Sequence, residues 1–167
     1  EPETAPAKIK VAAMGDDTTY GSKSYVNYPT ALGEILGDGY EVRNYGECAA
    51  TTKTYYAGTE YGEISDYHSA LEWAPDIAIL GFGINNASNV SFTNSYQKMV
   101  DELKEKGTKI YILTSLKKSV NETLTEFATT NNIELIDTYT YAKDNISASK
   151  KQTSYLFTEE GNVEYAT

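Results

Sequence analysis

The chain has 167 residues with 24 acidic against 14 basic side chains, a net charge of −10. That balance disfavours nucleic acid and anionic membranes as partners, because both demand clustered Lys and Arg. The length suits one domain with a real core, no apolar run approaches the roughly 18 residues that cross a bilayer, and the single cysteine, Cys48, excludes a disulfide framework and a cysteine-built zinc site.

Residues 1–7, EPETAPA, are acidic, proline-containing and aperiodic. They read as a linker or a mature N-terminus, which leaves 8–167 as one domain. Ile9 to Met14 then forms a short apolar strand that breaks at Gly15 into Asp16, Asp17, Thr18 and Thr19. Pro29 opens a helix with Leu32, Ile35 and Leu36 on one face, and Gly37 stops it. Tyr40 to Asn44 alternates as a second strand, and Tyr45 to Gly62 reads as one long polar loop. Ile64 to Trp73 is helical, closed by Pro75, and Ile77 to Gly81 is a strand apolar enough to be buried on both faces.

The stretch GFGINNASN follows as a loop. Thr93 to Lys106 is the clearest helix, with Tyr96, Met99, Val100 and Leu103 along one face. Lys109 to Thr114 is the fourth strand. Ser119 and Glu122 have the spacing of a capping box ahead of Leu124, Phe127 and Ala128. Ile133 to Ile136 is a fifth strand, ended by Asp137. Thr138 to Tyr155 shows no periodicity, and Thr158 with Glu159 and Glu160 starts a last helix.

Five β-α alternations predict an α/β fold, a three-layer α/β/α sandwich around a five-stranded parallel sheet. The flavodoxin-like order 2-1-3-4-5 is the expected one at this size. Ligands of such sheets sit beyond the carboxyl ends of the strands, so Gly15, Asp16, Asp17 and Thr18 are the first site candidates.

The block GDDTTYG, residues 15–21, resembles the GDSxTxG block of the SGNH (GDSL-type) ester hydrolases, with Asp17 where that family has its serine nucleophile. The resemblance extends over most of the chain. Val42 to Thr51 is similar to the block NxGxSGxT, which assigns Ala49 to a backbone donor of the oxyanion hole. Gly83 to Asn86 is similar to the block GxND, which assigns Asn85 to the second oxyanion donor and puts Asn86 at the aspartate. The block DxxHP corresponds to the region Thr153 to Gly161, TSYLFTEEG, where alignment on the glycine puts Thr153 at the acid and Leu156 at the histidine. The only histidine, His68, falls in the second long helix, which returns from the carboxyl edge along a flank of the sheet.

The family's activity is therefore not expected from the family's residues. An Asp17 nucleophile would set a full negative charge beside the oxyanion it creates. At ~4 Å and an effective dielectric of ~20 the repulsion is roughly 4 kcal/mol, which is about three orders of magnitude in rate. Cys48, Ser22 and Ser24 are other hydroxyl or thiol groups near this edge, without a paired base. The preferred reading is a catalytically silent SGNH-hydrolase-like domain of an exported bacterial protein, without a cofactor or metal. Asp16, Asp17, Thr18, Tyr20, Asn85 and Asn86 form the binding edge, and its partners are a glycan, a small acylated ligand or neighbouring domains of a larger chain.

Tyr20, Tyr45, Tyr55, Tyr56 and Tyr61 are expected along that cleft, where their rings suit glycan stacking. Asp17 is expected to turn into the donors at Ala49 and Asn85. Three alternatives remain. One is an active GDSL-type esterase using non-standard residues. Another is a receiver-like domain built on Asp16, Asp17 and Thr114 or Ser115, which lacks an acceptor at Gly81. The third is metal binding by Asp16, Asp17 and Glu47.

Overall fold

A computed structural model describes residues 6–21, 26–58, 66–86 and 90–167, without the side chains of residues 90 and 91. Five parallel strands form its sheet: β1 (Ile9–Gly15), β2 (Tyr40–Gly46), β3 (Ile77–Gly81), β4 (Lys109–Leu113) and β5 (Glu134–Ile136). Their order is β2-β1-β3-β4-β5, as the alternation predicts. Helices α1 (Asp17–Tyr20), α2 (Tyr28–Leu36), α3 (Thr52–Ala57), α4 (Asp66–Trp73), α5 (Val90–Glu105), α6 (Asn121–Thr130), α7 (Thr138–Asn145) and α8 (Glu159–Ala166) connect and cover it. Among the described residues no helix is long and apolar enough to cross a membrane.

The sheet divides the core in two. One side gathers Ala12, Met14, Ala78 and Leu80 with the aromatic rings of Tyr55, Tyr67, Phe82 and Tyr96. The other gathers Ala13, Tyr28, Leu113, Ala142, Phe157 and Tyr165. Alternate residues of β1 thus serve opposite faces, the period-two geometry of a strand buried on both sides.

Two stretches read as irregular are helical, and both corrections have the same cause. α3 lies inside the predicted loop 45–62, and α7 lies inside the aperiodic stretch 138–155. Each is short, and each buries only two side chains, Thr52 and Tyr55 in α3, Thr138 and Ala142 in α7. So sparse an inward face leaves almost no periodic signal. Both begin on a side-chain cap: Thr51 Oγ1 accepts from the Thr54 N–H while the Thr51 N–H donates to Thr54 Oγ1, and Asp137 accepts from the Thr140 N–H.

The predicted capping box at Ser119 and Glu122 is also corrected. A 3-10 turn spans Lys118–Val120, and α6 starts at Asn121 with Val120 in the cap position and no side-chain cap bond. The Asn121 side chain instead accepts from the Ser115 N–H at 2.8 Å and donates to the Ser115 carbonyl at 2.9 Å. That pair ties the helix start to the end of β4.

At the carboxyl edge, Gly46, Gly15 and Gly81 stand in register across β2, β1 and β3. A Cβ on Gly15 would lie 2.2 Å from Thr19 Oγ1, and one on Gly46 would lie 2.3 Å from the Tyr20 backbone nitrogen. The glycine row therefore lets α1 sit directly on the strand ends. That seat positions Asp16 and Asp17.

Candidate functional site

Asp16 caps α1 and is itself buried, at 1% exposure. Its Oδ1 accepts from the Thr18 N–H at 3.3 Å. Its Oδ2 accepts from the N–H groups of Gly83 and Ile84 at 2.9 and 3.0 Å. Burial pushes its pKa up to about 7, against the pull of the three N–H donors and with a further push from the Asp17 charge. Asp16 thus fastens the end of β1 to the loop after β3. A Cβ on Gly83 of that loop, at φ 142°, would lie 2.7 Å from the Ser115 Cβ, so the loop is close-packed where Asp16 holds it.

Asp17 points the other way. Its Oδ2 accepts from the Ala49 N–H at 3.0 Å and from the Asn85 Nδ2 at 2.7 Å, and its Oδ1 accepts from the Cys48 thiol at 3.3 Å. These donors lie on the β2–α3 and β3–α5 connections, so Asp17 joins three loops. Asn85 also donates to the Ala50 carbonyl at 3.1 Å. Ala49 has φ 60°, the left-handed region that favours glycine. The carboxylate beside Cys48 holds its thiol pKa above the ordinary value, with burial adding to the effect.

The other sequence candidates divide between surface and interior. Tyr20 is exposed. Thr18 is buried and donates to the Tyr155 carbonyl at 3.1 Å, which draws the loop before α8 onto α1. Asn86 is buried, accepting from the Thr52 N–H at 3.3 Å and donating to Thr52 Oγ1 at 3.4 Å. Leu156 is half-buried in the same loop as Tyr155, where its N–H bonds Thr153 Oγ1 at 3.1 Å. His68 sits on the exposed side of α4. Ser22, Ser24 and Tyr61 lie outside the described residues.

The expected tyrosine-lined cleft is not formed by Tyr20, Tyr45, Tyr55 and Tyr56, the named residues that are described. Tyr55 is fully buried and donates to the Tyr45 carbonyl at 2.7 Å. Tyr56 donates to Glu102, as does Tyr67, each at 2.7 Å. Tyr45 tilts onto Trp73 at 5.9 Å. Of the four described, only Tyr20 is exposed. α3 turns Tyr55 into the core, and Tyr45 and Tyr56 pack half-buried against the same core.

Asp16 and Asp17 face different loops, and the Glu47 carboxyl, raised in pKa by burial and then by Asp66, belongs to a third environment. Among the described residues no group of three His, Cys, Asp or Glu could hold a metal ion. The sequence reading also missed Lys117, whose Nζ donates to the carbonyls of Asn86 at 2.8 Å and Ile84 at 3.4 Å and so clamps the Asn85 loop. No local pattern marks it, because its partners lie more than thirty residues earlier.

The arrangement is a carboxylate held between preorganised donors at the edge of a parallel sheet. Solved structures share the scaffold. A two-domain esterase active on acetylated mannans superposes with a TM-score of 0.76 at 16% identity, over 95% of this chain and 46% of that one. A G-D-S-L family protein from Desulfitobacterium hafniense gives 0.76 at 20% identity, over 95% and 96% of the two chains. In sequence, an acetylxylan esterase of Xylanibacter ruminicola is 28% identical over 101 residues, 57% of this chain and 21% of that protein. The chain therefore matches only about a fifth of that relative's length. A match to the GDSL-like Lipase/Acylhydrolase family runs from residue 13 to 162, taking in the glycine row, both aspartates and the loop before α8: the chain belongs to that family.

Proposed function

We propose that this domain is a catalytically silent member of its family, acting as a binding or interaction module of an exported bacterial protein. Its ligand is a glycan or a small acylated molecule at the carboxyl edge of the sheet. One observation carries the reading: Asp17, at the position that the resemblance gives to the nucleophile, accepts from both Ala49 N–H and Asn85 Nδ2. A carboxylate held there fills the donors that would stabilise a tetrahedral oxyanion and repels that anion. The chain's one histidine lies in α4, so no imidazole is available in the loop before α8 to act as base. The acetylxylan and acetylated-mannan esterases among its relatives support carbohydrate as the ligand class.

Hydrolysis of an activated acetyl ester, measured with a Cys48→Ala control, tests the reading. The expected rate equals that of buffer for the parent chain. Asp17→Ser stays equally inactive, because loss of single triad members typically lowers kcat by roughly 10⁴ to 10⁶ and no base accompanies the new hydroxyl. Saturable hydrolysis that survives Cys48→Ala and disappears in Asp17→Ala overturns it. That result would favour the second reading, an acetyl esterase using non-standard residues, which the names of the relatives support.

A further inference from the structure

A cavity of about 270 Å³ opens between α7 and the loop before α8. Its polar lining is Lys143, Lys151, Tyr139 and Ser154, over apolar Leu116 and Phe157. Among the described residues no carboxylate lines it, in a chain where acidic residues outnumber basic ones by 24 to 14. Lys143 lies in the last turn of α7, and Lys151 Nζ donates to the Ala142 carbonyl at 3.2 Å. The carbonyl end of α7 favours cations there. Neighbouring Lys150 is paired with Glu164, whereas neither Lys143 nor Lys151 has an ion-pair partner among the described residues.

A second, more open groove of about 840 Å³ adjoins the cavity and shares Tyr139 and Lys143 with it. This groove carries Asp137, Glu122 and Lys118 together with the hydroxyls of Ser119, Thr125 and Thr140. Bonds from Thr140 and then Thr114 hold the Asp137 pKa below the ordinary carboxylate range, so Asp137 keeps its negative charge. Charge is mixed along the groove, where Lys118 offsets one of the two carboxylates, and the Lys143–Lys151 end is the most cationic part of the joined space. Two joined cavities of this size exceed a simple ion, and hydroxyls with one aromatic ring suit a polyhydroxylated chain. The Thr18–Tyr155 bond fixes the loop carrying Ser154 against α1, and Leu116 also borders the space beside Asp16.

We propose that the Lys143–Lys151 cavity binds the carboxylate-bearing (uronic acid) unit of an oligosaccharide, whose neutral units lie along the adjoining groove. This rests on the glycan-binding reading and narrows it to acidic saccharides. The test is calorimetric titration of the intact chain with a xylo-oligosaccharide carrying one glucuronic acid. The same sugar with its carboxyl reduced to the alcohol, and inorganic phosphate, serve as controls. The acidic sugar is expected to bind at least about tenfold more tightly than its reduced form, and to weaken at high salt. Lys143→Gln and Lys151→Gln should each lose most of that preference with the melting temperature unchanged. Equal binding of the two sugars overturns the inference while leaving glycan binding intact. Phosphate binding as tight as the acidic sugar overturns it as a bare cationic patch, and binding of neither sugar overturns it outright.

Discussion

The Asp17 carboxylate and the Asn85 amide, 68 residues apart in sequence, meet at 2.7 Å. The same Oδ2 takes the Ala49 N–H at 3.0 Å, so one carboxylate oxygen closes two loops onto a third. The contact lies at the exposed rim, where solvent can replace part of it. Asp17→Ala should therefore lower stability by about 0.5–1.5 kcal/mol. Asp17→Asn, which can turn its carbonyl oxygen to both donors, should recover most of that loss. Chemical denaturation of the three chains checks it, and an alanine variant as stable as the parent would refute the structural role.

Cys48 reports on the same carboxylate. Asp17 holds the thiol in its neutral form, first through their hydrogen bond, then with burial and charge repulsion adding to it. The thiolate is the reactive species. Alkylation of the exposed Cys48 near neutral pH should thus be slow and should accelerate in Asp17→Asn. An unchanged alkylation rate would mean that the pair does not persist in solution.

Asp16 makes stability depend on pH. Its folded pKa is about 7, raised from 3.8 chiefly by burial. Between those values the folded chain keeps a proton that the unfolded chain has released. The stabilisation from that proton is complete below about 4 and is lost as pH rises through about 7. Asp137 runs oppositely: its lowered pKa stabilises the fold above the ordinary carboxylate range, and that contribution is lost in acid. Subtracting the profile of Asp16→Asn from that of the parent isolates the first effect. The difference should fall with rising pH between about 4 and 7, by an amount on the order of a few kcal/mol.

Ala49 holds its φ of 60° against the Cβ penalty of the left-handed region, about 1–2 kcal/mol. Glycine escapes that penalty and gives back part of it through a more flexible unfolded chain. Ala49→Gly should leave the protein as stable or more stable by up to about 1 kcal/mol, read from a denaturant midpoint. A clear destabilisation would show that the backbone there is not strained.

Gly46 presents the reverse case. A Cβ would lie 2.3 Å from the Tyr20 nitrogen and 2.7 Å from the Thr19 carbonyl carbon, both main-chain atoms that cannot swing aside. Gly46→Ala should cost about 1–3 kcal/mol and loosen α1. Hydrogen exchange should quicken at Tyr20, whose N–H bonds the Asp16 carbonyl.

How far the sequence reaches is clearest by comparing α5 with α3. In α5, Tyr96, Met99, Val100 and Leu103 recur at helical spacing, and all four are buried. The strands, their parallel order and the family blocks are legible for the same reason: each signal lies within a few consecutive residues. In α3 the inward side chains are one threonine and one tyrosine, so the pattern is silent and the cap at Thr51 becomes visible only once the turn exists. The sequence by itself marked Asp17, Ala49 and Asn85 as positions. The turn of Asp17 into the Ala49–Asn85 pair, expected from the family resemblance, is found; only the tertiary structure decided that Asp16 turns to Gly83 and Ile84. The physical reason is separation along the chain. Periodicity records which face of an element is buried, whereas hydrogen bonds between loops exist only after the sheet has brought their ends together.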